Sequence, residues 1–119
     1  MQVTERELIY EGYRCLVVHH VPGKGYPSWY SAYVRVPFSM VRKVTLMDVH
    51  RGFSYGTWLT NDAHPWMMKW PSGKTVEEGY AIVGWDYNYP DEVSMITDAH
   101  VEGDIKDLID RIQAAMPVS

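Results

Sequence analysis

The clearest pattern in this chain is that of its last segment, whose apolar residues repeat at helical spacing. In TDAHVEGDIKDLIDRIQAAM, which starts at Thr97, the residues Val101, Ile105, Leu108, Ile109, Ile112 and Met116 share one side of a helix, and charged residues occupy the other. Thr97 or Asp98 can accept from the free N–H groups of the first turn. Asp98, Glu102 and Asp104 sit near the positive end of the helix dipole and Arg111 near the negative end. Pro117 cannot continue the helix. The pattern predicts a helix over about 98–116. A helix with one apolar side draws most of its stability from what that side packs against. The rest of the chain must therefore supply a complementary surface.

That remainder reads as strands and loops. Tyr13–Val21 is apolar on both parities through its middle, as a central strand is, and residues 2–10 can pair with it through a turn at Glu11-Gly12. Pro22 to Pro27 is a loop. Trp29–Val36 alternates: Tyr30, Ala32, Val34 and Val36 form one face, and Trp29, Ser31, Tyr33 and Arg35 the other, with Pro37 as the stop. Val44–Val49 and Phe53–Leu59 are further strand candidates on either side of His50-Arg51-Gly52. Residues 61–79 read as a long loop anchored by Trp66, Met67, Met68 and Trp70. Tyr80–Tyr87 is the last strand. The expected fold is α+β: one domain over 1–119, with a mostly antiparallel twisted sheet of about five or six strands and the C-terminal helix packed on it.

Composition narrows the function classes. At 119 residues and 46% hydrophobic content the chain suits one globular domain that folds without a metal or disulfide. Its one cysteine, Cys15, cannot form an intrachain bridge and reads as a small buried residue. The start, MQVTERELIYEG, lacks the basic and apolar stretches of a signal peptide, and no segment is apolar for long enough to span a bilayer. A cytoplasmic protein is the expectation. The net charge is −4, with the acidic residues concentrated between Asp86 and Asp110, which disfavours direct nucleic-acid binding. Five Trp and nine Tyr are many for this length. They predict an exposed aromatic patch and, through it, a homodimer.

Most familiar chemical motifs fail on inspection. Pro71-Ser-Gly-Lys-Thr75 ends like a phosphate-binding loop, but Met68 stands where the first glycine belongs. His19, His20, His50, His64 and His100 show no metal-ligand spacing, and no cofactor is implied. Ser54, in Gly52-Phe-Ser-Tyr-Gly56, lacks the strand–turn–helix setting of a nucleophile elbow. The constellation that remains is discontinuous. His50 follows one candidate strand, and Asp86 and Asp91 lie at and beyond the end of the last. If these strand ends share a rim, His50, Tyr55, Asp86 and Asp91 converge there. A histidine held by a carboxylate can transfer protons near neutral pH, which makes His50, Asp86 and Asp91 the catalytic candidates. A ligand-binding reading of the same rim uses His50, Tyr55, Asp86, Tyr87 and Asp91.

Val49-His-Arg-Gly-Phe-Ser-Tyr55 and Val83-Gly-Trp-Asp-Tyr-Asn-Tyr-Pro-Asp-Glu92 resemble two motifs of a family of small phage and prophage proteins. Those motifs read V-H-G-G-[LI]-T-Y and W-x-G-F-D-C-A-H-x-G-D, and a C-terminal helix follows them. His50, Gly52, Tyr55 and Asp86 match, and Asp91 matches with a one-residue shift. The family's Cys and His fall on Tyr87 and Tyr89. The resemblance implies a phage accessory protein that binds a host factor or small ligand, as an inhibitor of host antiviral defence of the anti-CRISPR kind does. The alternative is a small enzyme using His/Asp acid–base chemistry on a nucleotide or phosphate-containing metabolite.

Overall fold

The computed structural model describes residues 2–54 and 69–116. Four strands form one antiparallel sheet in the order β1-β2-β3-β4, with β1 Gln2–Tyr10, β2 Tyr13–Val21, β3 Trp29–Pro37 and β4 Tyr80–Asp86. A 3₁₀ turn, Phe38–Met40, leads into the short helix α1, Val41–Thr45, and the chain ends in α2, Asp98–Ala115. The strand count among the described residues is thus four, below the five or six expected.

The β1–β2 hairpin turns on Glu11 and Gly12, both at positive φ (50° and 81°). That is the type I′ geometry, whose twist matches the strands it joins. It pairs Tyr10 with Tyr13 and carries the register through to Gln2 opposite Val21. At the start of α2, the Thr97 hydroxyl accepts the His100 N–H (3.2 Å), an N-cap that satisfies one of the free donors of the first turn.

One candidate strand is corrected. Val44–Val49 contains no strand. Met40, Val41 and Val44 recur at helical spacing and are buried, and Thr45 Oγ1 donates back to Val41 O (3.0 Å). A short apolar run cannot by itself tell helix from strand, and here docking against the core selected a helical turn. In the Phe53–Leu59 candidate, Phe53 and Ser54 lie outside any strand, and residues 55–59 lie outside the described residues. Of the expected loop anchors, Trp70 is buried against the sheet, whereas Trp66, Met67 and Met68 are outside the described residues.

The sheet has an apolar layer on each face. Cys15, Val17, Ala32, Val34, Val36, Val83 and Trp85 face α2 and meet Val101, Ile105, Leu108, Ile109 and Ile112, all five of which are fully buried. The other face carries Leu16, Val18 and Ile82 under Trp70 and Val76. The missing side chain of Gly84 matters here. A Cβ at that position would lie 2.6 Å from both Ala32 O and Tyr33 Cδ1, so only glycine lets the Tyr33 ring rest across β4. Burial without a charged neighbour pushes the Cys15 thiol up to about 12, as expected for a structural cysteine. Of the described Trp and Tyr residues only Tyr26 is exposed. The aromatic excess therefore fills the two layers and the corner described next, and forms no exposed patch among these residues.

Candidate functional site

β4 alternates, and its parity decides which side chains reach α2. Trp85 and, one residue past the strand, Tyr87 point to the helix side. The Tyr87 N–H bonds Tyr30 O (2.9 Å), which extends the ladder by one rung and buries the ring completely. Its hydroxyl accepts from Trp85 Nε1 (2.8 Å) and donates to Asp104 Oδ2 (2.6 Å). Burial, and then the adjacent Asp104 carboxylate, hold the phenol's pKa far above its ordinary value, so it remains a donor.

Two histidines flank this phenol. The His50 ring stacks on Tyr87 (centroids 4.6 Å apart), and its Nε2 is hydrogen-bonded to Glu92 Oε1. The His100 ring meets Tyr87 edge-on at 6.0 Å, and its Nε2 lies 3.4 Å from the same Asp104 oxygen that Tyr87 uses. Arg51 ties the loop down, with Nη2 2.5 Å from Asp91 Oδ2, Nε 3.4 Å from Glu92 Oε1 and the guanidinium 4.2 Å over the Tyr89 ring. Arg51 is itself at positive φ (54°), a strained conformation that this set of contacts holds in place.

Beside this corner lies an open groove of about 240 Å³ between the 46–50 loop and α2. Asp48, Val49, His50 and Trp85 line one side. His100, Asp104, Asp107 and Arg111 line the other, a stripe of polar side chains running along the helix beside its apolar face. Arg111 is engaged with Asp107 (3.1 Å), so the groove is acidic on balance. A second cleft of about 370 Å³, lined by His19, Pro27, Ser28, Tyr30, Val93, Ser94 and Ile96, has no carboxylate or guanidinium among these residues. Among the described residues no cluster of three or more His, Cys, Asp or Glu is placed to hold a metal ion, and no helix is long and apolar enough to cross a membrane.

The expected rim is only partly assembled. His50, Tyr87 and Asp91 lie in one corner, with Asp91 joined to His50 through Arg51 and Glu92. Asp86 is one residue out of phase with Tyr87 and belongs to the opposite face of the sheet. There it stands opposite Ser31 and accepts the Asn88 N–H (3.3 Å). Its neighbour on that face is His20, whose Nε2 bonds Ser31 Oγ (3.0 Å) while its ring stacks on Trp29. Tyr55 lies outside the described residues. The carboxylate that His50 uses is Glu92, not an aspartate. Glu92, His100 and Asp104 were not among the expected site residues. The recurrence of His100, Asp104, Asp107 and Arg111 at steps of four, three and four is the sequence signal that marks them as one stripe.

Gly52-Phe-Ser-Tyr-Gly56 has the spacing of a nucleophile elbow, but Ser54 follows no strand. Its N–H bonds Gly84 O (2.9 Å), which sets Ser54 against the outer side of β4. Comparison of the chain with models of known families, with curated proteins and with solved structures finds no match.

Proposed function

We propose that the protein acts by binding rather than by turnover, and that the groove between the 46–50 loop and α2 receives a small ligand or a host factor. One observation carries this reading: the two least exposed groups able to move a proton, Tyr87 and His50, are already engaged within the fold. The Tyr87 hydroxyl is spent between Trp85 and Asp104, and His50 between Glu92 and the Tyr87 ring. What remains open to a partner is the rim, where Asp48 and Asp107 supply negative charge. That charge favours a ligand or protein segment with a positive group. The resemblance to small phage and prophage proteins supplies the setting: a phage accessory protein whose partner is a host factor, with inhibition of host antiviral defence as its effect. The setting rests on that resemblance alone.

The test is capture from host lysate on the immobilised protein and on a Asp48→Lys/Asp107→Lys variant, followed by mass spectrometry. Both positions are exposed and outside the core, and loss of the exposed Asp107–Arg111 pair should cost under about 1 kcal/mol, so the variant should fold and melt within a few degrees of the parent. A species held by the parent and lost by the variant is the expected result. Equal retention by both would remove the groove from the function.

A second reading is favoured by the second imidazole–carboxylate pair, His100 with Asp104, on the same groove. Two such pairs suit acid–base chemistry on a nucleotide or phosphate-containing metabolite. The carboxylates of the rim repel phosphate, which is why binding is preferred. Turnover of any member of a nucleotide panel, lost in His100→Asn with the fold intact, would put the enzyme reading first.

A further inference from the structure

The two edges of the sheet are finished differently. On the outer side of β4, Gly84 O accepts the Ser54 N–H (2.9 Å). β1 pairs with β2 over its full length, and among the described residues no backbone group bonds its other side.

The groups free on that side follow from the register. A two-residue type I′ turn closes on a hydrogen-bonded pair, here Tyr10 and Tyr13, and such pairs alternate with non-bonded ones along an antiparallel ladder. The even-numbered residues of β1 therefore bond β2. Val3, Glu5, Glu7 and Ile9 direct their N–H and C=O groups outward. The same parity carried across the sheet gives Tyr87 N–H to Tyr30 O on the inner side of β4 and Gly84 O on its outer side, as observed. The side chains of these four residues share the face away from α2, and all four are exposed. The edge thus reads apolar, acidic, acidic, apolar, with Val3 at 50% and Ile9 at 63% exposure. Glu7 also meets Arg14 of β2 (3.3 Å), an exposed pair of little strength.

This edge is also tied to α2 from behind. Arg6 bridges to Asp98 (2.5 Å) and Glu102 (2.8 Å) of α2, and the Tyr10 hydroxyl donates to Asp110 (2.9 Å). A template ordered in advance loses little entropy when a strand is added to it.

We infer that the outer edge of β1 is a docking site for an extended segment of a partner protein, added as a fifth strand, with basic residues opposite Glu5 and Glu7 and apolar residues opposite Val3 and Ile9. The matching pattern is apolar-x-basic-x-basic-x-apolar. A second copy of this chain is a poor occupant. Two-fold pairing about Arg6 sets Glu5 against Glu7 twice and Arg6 against Arg6, and a shift of one residue on each strand sets Glu5 against Glu5 or Glu7 against Glu7. Like charges directly opposite destabilise a strand pair. The site stands apart from the groove on α2 and does not depend on it.

The probe is the blocked peptide Val-Thr-Lys-Thr-Lys-Thr-Val, titrated into ¹⁵N-labelled protein with amide exchange followed by NMR. In the free protein the amides of Val3, Glu5, Glu7 and Ile9 should exchange fast, and those of Thr4, Arg6 and Leu8 slowly. Saturating peptide should slow the first set about tenfold or more and leave the second unchanged. Replacing both lysines of the peptide by glutamate should weaken binding about tenfold, from two favourable cross-strand pairs turned unfavourable. Glu5→Lys/Glu7→Lys, checked for an unchanged melting temperature, should reverse the preference. No binding at millimolar peptide would overturn the inference. So would equal affinity for both peptides, perturbations that map to the α2 groove, or a dimer through β1 in the absence of peptide.

Discussion

Replacing Tyr87 by Phe isolates one hydroxyl, because Phe fills the same space. Two groups lose a partner. Trp85 Nε1–H belongs to a side chain that is 1% exposed, so no solvent replaces its acceptor. Asp104 has a side chain 38% exposed, so water compensates most of its loss. A buried donor left without an acceptor costs about 1–3 kcal/mol, and the Asp104 bond adds a fraction of a further kcal/mol after solvent screening. The expected destabilisation is about 2–3 kcal/mol, or roughly 10 °C in melting temperature for a domain of this size. Urea unfolding followed by far-UV circular dichroism measures it, and an unchanged slope with denaturant confirms that the native state stays compact. Asp104→Asn and the double variant complete a cycle. If Trp85, Tyr87 and Asp104 act as one chain, the two changes together should cost less than their sum by about 1 kcal/mol. A Tyr87→Phe protein within about 0.5 kcal/mol of the parent would refute the idea that this relay holds the corner together.

Leu108→Ala removes a fully buried side chain from the centre of the α2 stripe and should cost about 2–5 kcal/mol; an unchanged melting temperature would mean that α2 is not docked as described. His20 should make stability pH-dependent. Its folded-state pKa lies below the ordinary 6.5, chiefly through burial, with the neighbouring His19 adding to the drop and Asp86 opposing it. The unfolded chain therefore takes up the proton first as pH falls, and the stabilisation present above pH 6.5 is lost as pH drops through the folded-state value. The urea midpoint should fall more between pH 7.5 and about 5 in the parent than in His20→Gln, and equal falls would exclude His20 as a source.

Most of the fold was legible because its signals are local. The α2 stripe and its Thr97 cap predicted about 98–116, and the helix runs Asp98–Ala115. The Glu11-Gly12 turn and the alternation after Trp29 placed three strands closely. Val44–Val49 was misread because the local signal was weak. Its apolar residues suit a strand as well as a helical turn, and only the buried positions of Met40, Val41 and Val44 against the core distinguish the two.

The site divides along the same line. Alternation along β4 was evident from the sequence, and it required Asp86 and Tyr87 to part company. Which parity faces α2 depends on the volume available on each face, where Trp85 and Tyr87 fill the gap beside Ile105 and Leu108. Nothing local shows that the 50–54 loop folds over that gap, or that α2 enters at the angle that brings Asp104 within 2.6 Å of the Tyr87 hydroxyl. His50 could be expected to seek a carboxylate. That the carboxylate is Glu92 was decided by the turn from Tyr89 to Met95, whose backbone bonds return Glu92 toward the sheet. The sequence by itself determined the elements and the residues able to do chemistry. Their pairing was decided by packing, because the distance between groups 42 residues apart is set by the core between them and not by the chain that joins them.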